Sequence, residues 1–222
     1  MRSKEVGISS CILPDSQFTF WRNCLDKFTE YIVGGFIGND GNKSLVPDVH
    51  RAQIKAGLIG GRVYVAEIDQ VGIVGAAVWF GPGEELLSSP DQAAAGFNQF
   101  MGDLGSRDPE MPAWWMTSFL PNYGKFTSEA LGDPKYKHNG WHLQLLGVEP
   151  KYQRHGVGTA LIKYVKDIDA TSESKHLSVE TETEGARQFY KQVGFIERGE
   201  TTVESEKKLG GSCPMWCLSY DL

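Results

Sequence analysis

The residues best placed to do chemistry lie in one short run, Gln153-Arg154-His155-Gly156-Val157-Gly158-Thr159. The strand-like Trp141 to Val148 (WHLQLLGV) ends just upstream, and Glu149-Pro150 opens a turn. The loop then runs directly into a helical pattern from Gly156 to about Asp169, with Ala160, Leu161, Tyr164, Val165 and Ile168 on one face. Glycine at 156 and 158 removes side chains where backbone amides must come close to a ligand. Amides at a helix N-terminus are unpaired and sit at the positive end of the macrodipole, so they favour an anion. The chemistry predicted is that of a phosphate or pyrophosphate cradle. A glycine pair also serves to pack a helix on a strand, so the pair alone does not choose between the two.

Two familiar cradles fit poorly. A Walker A loop requires Gly-Lys-Ser or Gly-Lys-Thr, and Gly158-Thr159 has no lysine. A dinucleotide fingerprint requires a glycine or alanine three residues after Gly158, where Leu161 stands. The run instead resembles the Gln/Arg-x-x-Gly-x-Gly/Ala signature of the GNAT acetyltransferase superfamily. Leu146-Gly147-Val148 followed by Pro150 resembles that family's strand ending, Leu177-Ser178-Val179 its next strand, and Ala186-x-x-x-Tyr190-x-x-x-Gly194-Phe195 its helix ending. Trp79-Phe80-Gly81-Pro82-Gly83 and the closing Met215-Trp216 stretch look most like fungal small-molecule members.

The resemblance implies an α/β fold with a mixed, mostly antiparallel sheet, splayed central parallel strands and flanking helices. It implies direct transfer of an acetyl group from acetyl-CoA to an amine in a ternary complex. Leu146, Gly147 and Val148 would contact the pantetheine arm. Gln153 to Thr159, that is Gln153, Arg154, His155, Gly156, Val157, Gly158 and Thr159, would hold the pyrophosphate. Tyr190 would act as general acid, its phenol of ordinary pKa roughly 10 protonating the departing thiolate. Thr183 stands where the family often has an asparagine that touches the cofactor, so this contact is weakened or supplied otherwise. The base is not identified: Glu180 and His142 are candidates on the two central strands, and each also reads as structural or solvated.

The remaining elements must position these residues. Strands are expected at Glu5 to Leu13, Arg62 to Ile68, Val71 to Phe80, Trp141 to Val148, His176 to Thr181, Phe195 to Glu204 and Met215 to Leu222. Phe18, Trp21, Leu25, Phe28 and Ile32 recur at helical spacing, and further helices are expected after Pro47 and over Glu184 to Val193. A helical insertion, near 84–138, is broken in pattern by Gly102, Gly105, Pro109, Pro112 and Pro121. Residues 1–222 thus read as one acetyltransferase domain with that insertion.

With 41% hydrophobic residues the chain can bury a sizeable core, and its net charge of -6 disfavours nucleic acid as a partner. No apolar run reaches the roughly 20 residues of a membrane helix and no signal peptide is visible, so no membrane and a cytoplasmic location are expected. Cys213 and Cys217 would lie roughly 13 Å apart on a strand, too far for a disulfide, and the histidines lack ligand spacing; no metal is expected. From Glu67 to Glu110 eight acids face one base, Arg107, which suits a cationic amine or simply a solvated acidic surface. Trp114 to Phe119 reads as core or as a pocket wall for a ring-bearing amine. The partner expected is therefore a small-molecule amine, with the protein a monomer or homodimer. Acetylation of a protein lysine or N-terminus, and a non-catalytic acyl-CoA sensor, stay open beside it.

Overall fold

The computed structural model describes residues 6–10, 44–169, 174, 176–204 and 212–221. The helix expected over Phe18 to Ile32, and Cys11 and Cys24, lie outside the described residues. Among the described residues seven strands form one sheet: β1 (Val6–Ser10), β2 (Arg62–Ile68), β3 (Gly72–Phe80), β4 (Trp141–Val148), β5 (His176–Thr181), β6 (Ile196–Glu204) and β7 (Ser212–Asp221), in the order β1-β2-β3-β4-β5-β7-β6. All neighbours are antiparallel except β4 and β5, which run parallel at the centre. This is the mixed sheet that the sequence implies.

Five longer helices flank it: α1 (Val46–Gly60), α2 (Asn98–Arg107), α3 (Leu120–Leu131), α4 (Val157–Tyr164) and α5 (Glu184–Gln192). Side chains alternate across a strand, and β2 is apolar on both faces. Tyr64, Ala66 and Ile68 pack towards Leu161 and Ile162 of α4, while Val63 and Val65 pack towards Ile54 of α1. A third cluster joins Leu45 and Val49 to Phe100, Leu104, Met111 and Trp115 of the helical insertion. The insertion is thereby tied to α1 beside the sheet.

Gly102 and Gly105 do not break a helix as expected: α2 runs through both. A glycine costs only about 1 kcal/mol within a helix, and buried Phe100 and Leu104 anchor this one. At Gly105 a Cβ would come within 3.2 Å of Pro112, so the missing side chain lets the next turn fold back closely. The chain turns instead at Asp108, whose backbone is extended. Three π-turns among the described residues, Ala93–Phe97, Trp115–Phe119 and Val165–Asp169, end or join helices that the sequence pattern reads as regular. β7 begins three residues before the expected Met215, which brings Cys213 into the strand; Cys213 and Cys217 are buried free thiols.

Candidate active site

The two central strands pair only at Trp141 with Leu177, His142 with Ser178 and Leu143 with Val179. Beyond Leu143, β4 stays on β3 as far as Val148, pairing with Gly75, while β5 stays on β7. The parallel pair therefore splays towards its C-terminal ends. Backbone groups alternate between the two edges of a strand. Glu149 donates its amide to the Val74 carbonyl of β3 (2.9 Å), so Leu146 and Val148 present their N–H and C=O groups to the opposite edge, where β5 has departed. The Val148 carbonyl accepts from Gln153 Nε2 at 3.1 Å.

The loop after β4 is shaped by two residues in the left-handed region, Arg154 (φ 63°) and Gly156 (φ 83°). Gly156 is the N-cap residue of α4, and its carbonyl accepts the first helical bond, from Ala160. That leaves the amides of Val157, Gly158 and Thr159 at the helix start without an intrahelical acceptor. The two glycines have different tasks. A Cβ on Gly156 would meet nothing within 4 Å, so glycine is favoured there by the left-handed backbone angle and not by crowding, and the space in front of the helix is open. A Cβ on Gly158 would meet the Phe189 ring at 3.2 Å, so this glycine admits α5 to close packing. Arg154 and His155 are exposed beside this opening, with His155 Nδ1 at 2.7 Å from the Gln153 carbonyl.

Thr183 is the N-cap of α5: its hydroxyl accepts from the Ala186 amide at 3.3 Å. Tyr190, on the same helix, is 7% exposed and packs against Phe189 and Phe195. Burial, then the charges of Glu182 and Glu180, push its phenol well above the ordinary value, so it is protonated at any physiological pH.

On the other side of the splay lies a cavity of about 510 Å³. Its walls come from α1 (Val49, His50), the end of β3 (Phe80), the π-turn (Trp115, Phe119), α3 (Tyr123) and His142 to Leu145 of β4. Glu180 and Glu182, at the end of β5, line it too. The aromatic stretch is thus both core and wall: Trp115 packs edge-on to Phe100, and Phe119 meets both Trp115 and Tyr123. Of the acidic run, Glu84 and Glu85 reach the cavity, whereas Asp91 and Glu110 are on the exposed surface.

Glu180 is the best-anchored side chain of the cavity. It accepts from Tyr123 Oη at 2.5 Å and Lys137 Nζ at 3.0 Å, and His142 Nε2 lies 3.4 Å away. Lys137 also donates to the Tyr123 phenol. Burial opposes the charge on Glu180, but the Lys137 cation and the hydrogen bonds from Tyr123 and Lys137 outweigh it and hold the carboxyl at about 2. His142 sits with Nδ1 at 3.0 Å from Ser178 Oγ, and burial, then Lys137, lower it to about 3, so it is neutral. The residues missed from the sequence are Tyr123, Lys137 and Glu182. The first two arrive from the insertion, 57 and 43 residues away from Glu180. Glu182 directly follows β5, in a Glu-Thr alternation that gives no local signal of a site.

Residues 130–208 match the model of the acetyltransferase (GNAT) domain. No curated protein matches the chain. Similar solved structures include a Drosophila melanogaster polyamine N-acetyltransferase, 11% identical over 98% of this chain and 100% of that one, with a TM-score of 0.57. A mosquito arylalkylamine N-acetyltransferase-like protein is 16% identical over 97% and 100%, at 0.55. A GCN5-related N-acetyltransferase from Rhodopseudomonas palustris is 15% identical over 100% and 99%, at 0.54. At such identities the likeness is one of fold. No helix among the described residues is long and apolar enough to cross a membrane.

Proposed function

We propose that this chain, whose residues 130–208 match the model of the acetyltransferase (GNAT) domain, transfers the acetyl group of acetyl-CoA to the amine of a small molecule. The observation that carries the reading is that one strand, β4, borders both halves of the reaction. Its open edge offers the backbone of Leu146 and Val148, and its residues His142 to Leu145 line the cavity. Two ligands held on the two sides of one strand can meet directly, which converts a bimolecular encounter into a positioned one.

The residues present fit the cofactor. Gly156 leaves open space before three unpaired amides, and Arg154 stands exposed beside them for a phosphate. Bound there, acetyl-CoA supplies an activated thioester. The N–H groups on the free edge of β4 hold and polarise its carbonyl oxygen. Tyr190 holds a proton on its phenol for the leaving sulfur. A cavity of about 510 Å³ is in the range of small-molecule sites, and names such as polyamine and arylalkylamine acetyltransferase among the structural neighbours support a small amine.

Calorimetric titration of acetyl-CoA, followed by thiol release across a panel of primary amines, tests this. Tight binding and amine-dependent release are expected. Tyr190→Phe should lower kcat roughly 100-fold with the KM for acetyl-CoA unchanged. Undiminished turnover in that variant would remove Tyr190 from the mechanism. Binding without release for any amine would favour an acyl-CoA-binding protein, and absence of binding would overturn the reading.

A further inference from the structure

Glu182 stands apart from the ionic cluster beside it in the cavity, and His50, across from it on α1, is kept neutral by burial. Glu180 is committed to Tyr123, Lys137, His142 and Cys217. His142 is turned to Ser178 and is neutral. Glu182 lines the same cavity, yet its Oε2 is buried with no hydrogen-bond partner. Buried polar atoms are almost always satisfied, and one that the protein leaves bare at a cavity wall points to a donor supplied by a ligand. The walls facing it are largely apolar and aromatic, with Phe80, Phe100, Trp115 and Phe119 among them. Resting on the acetyltransferase reading, we propose that Glu182 receives the ammonium of a primary amine with an apolar body and removes its proton before transfer.

The groups facing Glu182 agree with that role. Glu180, two residues before it in β5, supplies a like charge; from α3 Tyr123, from α5 Tyr190 and from β7 Cys213 approach it, and all three are held in the neutral form. Lys137 and His142 are engaged with Glu180. Burial first, and then Glu180, raise Glu182 to about 8. An ammonium of ordinary pKa, about 10.4, gives its proton to such a group far more readily than to a carboxylate at the usual 4.3. Glu182 takes one ammonium proton and later returns it to solvent. The freed lone pair forms the C–N bond at the thioester carbonyl carbon, and the C–S bond breaks with its electrons on sulfur. The sulfur takes the Tyr190 proton, and the second proton lost by nitrogen restores the phenol through solvent. The sum is one amide, one thiol and one released proton.

The test uses the wild type, Glu182→Gln and Glu180→Gln. Infrared difference titration of the free protein should show a carboxylic-acid band that disappears with a midpoint near pH 8 and is missing in Glu182→Gln. Calorimetry with 2-phenylethylamine and hexylamine should show affinity at least ~10-fold weaker in Glu182→Gln, with acetyl-CoA affinity unchanged. The limb of kcat/KM that rises through about pH 8 should vanish in Glu182→Gln, with kcat lower by roughly 100-fold. In Glu180→Gln that limb should move to lower pH, because the like charge is gone. A wild type without the band or without affinity for either amine overturns the proposal, as does a Glu182→Gln protein that keeps the band, the affinity or the limb. Failure of acetyl-CoA to bind would instead sink the acetyltransferase reading, while the band and the amine affinities still judge Glu182.

Discussion

The two sides of the β4–β5 opening are built from different materials. The side that follows β4 is made of backbone: the free edge of Leu146 and Val148, a left-handed Gly156 and the first amides of α4. The cavity side is made of side chains from many separate elements, with its charges fixed by the Tyr123–Glu180–Lys137 cluster. A backbone site needs particular angles and the absence of side chains, and those demands fall on neighbouring residues. A side-chain site needs only that distant residues converge. The first is confined in what it binds, and the second is free to change its walls while the sheet stays the same.

If the two sides are separable in this way, substitutions in one should leave the other intact. The largest effect is expected for Lys137→Met, which leaves Glu180 charged and short of its cation at a place where the two side chains are only 19% and 6% exposed. Breaking a buried pair costs about 3–5 kcal/mol, which should appear as a fall in Tm of roughly 6 °C or more, with acetyl-CoA affinity retained. The sign of the pH dependence follows from Glu180 at about 2 in the folded protein. Its stabilisation is complete above the ordinary carboxylate pKa, near 4.3, and is lost as pH falls towards 2. The variant should therefore lose much less stability than the wild type between pH 5 and 2 in thermal melts.

Next in size is Gly156→Glu. A side chain there enters open space before the amides of α4 with a like charge and a strained φ. Acetyl-CoA affinity should drop about 100-fold by calorimetry, whereas amine affinity stays. Gly156→Ala carries the strain without the charge, at about 1 kcal/mol, and separates the two causes. An equal loss in both variants would mean that loop geometry, not the open space, governs binding. The smallest effect is expected for Thr183→Ala. The hydroxyl caps α5, so removal should cost about 1 kcal/mol of stability and change acetyl-CoA affinity less than twofold. A larger loss of affinity would return Thr183 to the cofactor side.

The same contrast explains what was legible in the sequence. The strand, loop and helix from Trp141 to Tyr164 could be read because hydrophobic period, turn and glycine spacing are local properties. The end strands could be read to within a few residues for the same reason. The cavity could not. Glu180 and His142 stood out as ionisable groups on central strands, but nothing near them in sequence reveals that Lys137 and Tyr123 fix one charge and keep the other group neutral. Glu182 was hidden by its setting, Glu-Thr-Glu-Thr-Glu over residues 180–184, which has the composition of a solvated turn. Gly158 carries a double meaning that spacing alone cannot separate, since its place in the loop also answers the packing of Phe189.

The short stitching of β4 to β5 has a mechanical consequence. A sheet joined at its centre through residues 141–143 and 177–179 behaves as two stiffer leaves, β1 to β4 and β5 to β6, with a seam between them. The seam should be the first place to open, and hydrogen exchange should resolve the leaves as two cooperative units. A molecule lying along the free edge of β4 closes that seam as an additional strand would, so occupancy should fuse the two units into one.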